Sequence, residues 1–88
     1  MKPFSSNREL YEYLVFLADE LKKKKLDELS EAVTHASRQA SGLSTEFLGE
    51  SRVVLRRVLK EEGGLLTVQD RANVSDVIAQ LDDAFGKR

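Results

Sequence analysis

Apolar positions in this chain recur at helical spacing, and nowhere with the two-residue alternation of a strand. The clearest series is Leu10, Leu14, Leu17 and Leu21, at i, i+4, i+7 and i+11, which marks one face of a helix. Ser6 followed by Glu9 matches a capping box, so this helix is expected to begin near Asn7. Glu9 and Glu12 fall in its early turns and Lys22 to Lys25 at its end, the order the helix dipole favours. Tyr11, Tyr13, Val15 and Phe16 lie off the leucine stripe, so apolar character spreads around much of the cylinder.

No Gly or Pro interrupts residues 22 to 41, so the end of the first helix must be read from phase. A second series runs Leu26, Leu29, Val33, Ala36 and Ala40, again at helical spacing. At about 100° per residue, Leu26 stands roughly 160° around the cylinder from Leu10. Extending the first stripe instead meets Lys24, Glu28 and His35, all polar. A turn at residues 23–25 brings both stripes to one core as an αα-hairpin. The alternative is one unbroken helix of roughly 35 residues serving a dimer, which leaves its two stripes on opposite sides.

Helix 2 is expected over 26–41, with Gly42 closing it in the left-handed conformation. Leu43 and Ser44 then offer a hydrophobic staple and an N-cap for helix 3, over 44–62. Helix 3 gathers Phe47, Leu48, Ser51, Val54, Leu55, Val58 and Leu59 on one broad face. Gly63-Gly64 ends it, Leu65 and Leu66 fold onto the core, and Thr67 with Asp70 signals another cap. Helix 4, over 67–86, carries Val74, Ile78, Leu81 and Phe85 as its main stripe. Val68, Ala72 and Ala79 lie nearly opposite, implying either a break near Asn73 or a second contact surface of small residues. The expectation is an all-α fold, a small antiparallel bundle of four helices, forming one domain over residues 1–88.

Composition narrows the function classes. Fourteen basic and fifteen acidic side chains leave a net charge of −1, so no global attraction draws the chain to nucleic acid or an anionic membrane. The absence of cysteine removes disulfides and thiolate metal sites. The start lacks the apolar run of a signal peptide, and no uncharged apolar stretch nears the ~20 residues that span a bilayer. A cytoplasmic location follows as the expectation, with no membrane partner.

Candidate chemistry is sparse. The one histidine, His35, stands opposite the apolar stripe of helix 2, one turn from Glu31, as a surface residue rather than a general base. Glu61-Glu62 and Asp82-Asp83 sit near helix ends, where solvent exposure is expected. The glycine pair lacks the Gly-Lys-Ser/Thr sequence of a phosphate loop. No catalytic residue, metal site or cofactor is assigned, and the chain is read as a non-enzyme.

Two surfaces are left as candidates. Tyr11, Tyr13, Val15 and Phe16 give helix 1 surplus aromatic and branched surface of the kind that anchors interfaces. Their partner is expected to be another protein, a second copy of the chain included, since a two-fold homodimer reuses one patch. The alternative surface is basic: Arg52, Arg56, Arg57 and Lys60 on helix 3 could grip a nucleic-acid backbone weakly. Nucleic acid is the less favoured partner, because Glu61 and Glu62 flank the cluster, Arg57 can pair with Glu61, and no aromatic interleaves for base stacking.

Overall fold

A computed structural model of the protein describes residues 6–41, 44–62, 64 and 66–86. Among these, four α-helices and one 3-10 turn appear in the order α1 (Asn7–Lys23), α2 (Asp27–Ser37), the 3-10 turn (Arg38–Ser41), α3 (Ser44–Glu62) and α4 (Val68–Gly86). The all-α four-helix architecture read from periodicity is the one observed. α1 lies along α2, α2 packs on α3, and α3 packs on α4.

α1 starts where the capping signal places it. Ser6 is extended, at φ −156° and ψ 161°, and its hydroxyl accepts the Glu9 N–H at 3.4 Å. Such a cap satisfies one of the amide donors that the first helical turn leaves without a partner. The leucine stripe turns fully inward: Leu10, Leu14, Leu17 and Leu21 are all buried. Each contributes about 1.5–3 kcal/mol of apolar burial, the largest favourable input a helix of this size can make.

The reversal after Lys23 is a Schellman motif built without glycine. The Leu26 N–H donates to the Leu21 carbonyl at 3.0 Å, and the Lys25 N–H to the Lys22 carbonyl at 2.9 Å. Lys25 occupies the left-handed position at φ 63°. Leu26, the residue after it, packs against the core cluster to which Leu21 belongs. One long helix would carry the second stripe away from the core. The turn brings Leu29, Val33 and Ala36 back to it, all buried.

Small side chains then let α1 and α2 approach closely. Ala18 and Ser30 are both buried at the crossing, and the Ser30 hydroxyl donates to the Ala18 carbonyl at 2.7 Å. This bond spans 12 residues and fixes the antiparallel register of the hairpin. α2 departs from expectation at its end, closing at Ser37 and tightening into the 3-10 turn. The Ser37 hydroxyl donates to the Thr34 carbonyl at 2.6 Å, competing for a helical acceptor and favouring tighter i→i+3 pairing.

α3 occupies its expected span. Phe47, Ser51, Val54, Leu55 and Val58 are buried, with Leu48 and Leu59 packed at the margin. Ser51 is tolerated inside because its hydroxyl donates to the Phe47 carbonyl one turn back, at 2.7 Å. Leu66 is buried as expected, and the Thr67 hydroxyl caps α4 by accepting the Asp70 N–H at 3.0 Å. α4 runs through Asn73 without the break that was one reading of its far side. Val68 is 79% exposed, and Ala72 and Ala79 are exposed with it. The expected roles of Gly42, Leu43 and Leu65 lie outside the described residues, as does the side chain of Phe85.

Because Lys25 bears a Cβ in a region that penalises one, Lys25→Gly is expected to stabilise the fold by about 0.5–1 kcal/mol. Urea titration checks this: the midpoint rises with an unchanged slope, and a lower midpoint would contradict the assigned turn.

Candidate interaction site

The leucine stripe fixes how every other α1 residue points. Taking the stripe as facing the core, Tyr13 stands about 70° from it and Phe16 about 130° from it on the same flank. Tyr11 and Val15 stand about 90° and 130° away on the opposite flank. The observed exposures follow these angles: Tyr11 is 41% exposed, Val15 46% and Phe16 55%. Tyr13 does not join them. Its ring packs against the core, and burial together with the nearby Asp70 charge pushes its phenol well above the usual tyrosine pKa.

The three exposed residues are themselves divided. Val15 and Phe16 are about 100° apart, and Arg8, Glu12, Asp19 and Lys23 fall in the sector between them. These four are tied in two pairs, Arg8 to Glu12 at 3.4 Å and Lys23 to Asp19 at 3.2 Å. The pairs are exposed, so they stabilise little, but they cancel local charge and leave the flanking apolar side chains as the distinguishing features.

Tyr11 and Val15 open onto two grooves between α1 and the α2 side of the fold. Val15, Thr34, His35 and Arg38 line the first, of about 770 Å³, with Ser30 and Ala18 on its floor. Tyr11, Ser37, Ala40 and Arg38 line the second, which meets the first at Arg38. The Ser30 hydroxyl is committed to the Ala18 carbonyl, and His35 is exposed on the rim. Among the described residues no group of three metal-ligating side chains is brought together. What the arrangement can offer is shape: two helices in close contact, a shallow trough, and apolar side chains along one wall.

The basic surface on α3 is tied into the fold. Arg52 Nε lies 2.6 Å from Asp82, and Arg56 donates to both Asp82 oxygens at 2.8 and 3.0 Å. Arg57 donates to Glu61 at 2.7 Å, as its spacing anticipates, and also reaches Glu28 on α2 at 3.6 Å. Lys60 is exposed. Asp82 keeps much of the exposure expected of a carboxylate near a helix end, 40% for its side chain, and in addition bridges α3 and α4. No sequence signal marks this, since 26 residues separate Asp82 from Arg56 and helical spacing relates only residues three or four apart. Desolvation works to raise the Asp82 pKa, but the hydrogen bonds and charges of Arg56 and Arg52 outweigh it and hold the carboxyl below its ordinary range.

Among the described residues no helix is long and apolar enough to cross a membrane. No family model, curated protein or solved structure matches the chain.

A depressed pKa in the folded state adds stability that is fully present above the unfolded value, about 3.9, and is lost as pH falls through the folded one. Wild type is accordingly expected to resist urea better than Asp82→Asn at neutral pH, with the gap narrowing below about pH 4. A gap that holds constant into strong acid would show that Asp82 acts without its charge.

Proposed function

We propose that the protein is a cytoplasmic, non-enzymatic interaction module that binds another protein, a second copy of itself included, through the outer surface of α1. The observation that carries this reading is the exposure of Tyr11, Val15 and Phe16 on the helix whose other side supplies the buried leucines. Large apolar side chains exposed on both flanks of one helix of a small charged protein are costly to solvate and suited to anchoring a partner. The charged residues beside them orient the partner and disfavour wrong ones. Tyr13 supports this surface from beneath by packing on the core.

The basic face of α3 is the weaker footing for an interaction. Arg52, Arg56 and Arg57 already spend their charge on Asp82, Glu61 and Glu28, which lowers the attraction left for a phosphate backbone.

Phe16→Ala tests the reading, because an exposed anchor and a core residue respond differently to truncation. Its urea midpoint is expected to match wild type within about 0.5 kcal/mol, while retention of partner protein from native cytoplasm at physiological salt falls sharply. A loss of about 2–5 kcal/mol with retention unchanged would assign Phe16 to the core instead.

A further inference from the structure

The four helices are not bound into the bundle equally. α2 packs on both α1 and α3, and the 3-10 turn also packs on both, so these three helices are joined to one another more than once. α4 runs close along α3 and approaches no other described element as closely. Among the described side chains it buries Val74, Val77 and Leu81 over 19 residues, whereas α2 buries five over 11. Every helical residue costs ordering entropy, and α4 has fewer buried side chains per residue to offset it.

The ties differ in kind as well. α1 and α2 share a hydrogen bond buried between them, from Ser30 to the Ala18 carbonyl. α4 is bridged to α3 near its far end by Asp82, Arg52 and Arg56, whose side chains are 33% to 52% exposed. Pairs so open to water hold weakly.

At the near end the connection from α3 carries Gly63-Gly64. A Cβ at Gly64 would meet nothing within 4 Å, and no described glycine takes left-handed backbone. Neither close packing nor backbone geometry calls for glycine at position 64. What it supplies there is freedom to turn.

We propose that α4 is a strap that opens as a unit, swinging on the Gly63-Gly64 connection while α1, α2 and α3 stay folded, with the Asp82 bridge as its clasp. Opening uncovers Val74, Val77 and Leu81 together with the face of α3 that they cover. The fold thereby holds in reserve an apolar surface separate from the outer flanks of α1.

Native-state hydrogen exchange, read by NMR in low urea where reclosing outruns exchange, tests the strap. The amides of Val74, Val77 and Ile78 are expected to share one opening, at least about tenfold more populated than that of Leu14, Leu17 and Val33 and less dependent on urea. Ser30→Ala removes a bond that survives the opening of α4. It is therefore expected to speed exchange at Leu14, Leu17 and Val33 about three- to tenfold and to leave α4 unchanged. Asp82→Asn removes the clasp and is expected to speed exchange in α4 severalfold. One opening with one urea dependence across α1 and α4 overturns the proposal, and the wild-type chain alone decides that point. Exchange in α4 that rises with Ser30→Ala as much as exchange in α1, or that ignores Asp82→Asn, overturns it too.

Discussion

One mismatch of phase governs this molecule. Leu21 and Leu26 belong to two apolar stripes that a continuous helix would point in different directions, and the chain resolves the conflict by reversing at Lys24 and Lys25. The bonds from Leu26 to the Leu21 carbonyl and from Lys25 to the Lys22 carbonyl complete the turn, at the expense of a left-handed lysine. Once it is made, Ser30 locks α2 against Ala18, and the paired stripes form half of a core that α3 and α4 finish. Four lysines at this point are also where positive charge is best tolerated, next to the carbonyl end of α1.

From the same constraint comes the division of labour between surfaces. The inner side of α1 is occupied by leucines and Ala18, and its outer flanks leave Val15 and Phe16 about half exposed. α3 also shows a large apolar residue to solvent, Val53 at 66%, but three of its arginines pair at the surface with Asp82 on α4 and Glu28 on α2. Charge on α3 thus serves the fold.

Much of this was legible in the residues. The stripes located all four helices, Ser6 and Thr67 announced two of the starts, and phase alone placed the turn at the lysines. What escaped was structural detail that no local pattern encodes. Ser37 borrows the Thr34 carbonyl and cuts α2 short of the expected end. Asp82 looks like any helix-end acid until folding carries it to Arg52 and Arg56. Tyr13 was separable in principle: its angle from the leucine stripe is about 70°, against about 130° for Phe16, and that difference decides which ring is half-buried. The register of α1 against α2 also escaped, since it rests on one serine hydroxyl buried between them.

The central claim is that contact with a partner falls on the outer surface of α1, and where that partner is a second copy a dilution series of amide NMR spectra locates it directly. Signals from Tyr11, Val15 and Phe16 are predicted to move with concentration, while those of the core and of Val68, Ala72 and Ala79 on α4 hold still. Shifts gathered on α4 or on the arginine face of α3 would contradict it.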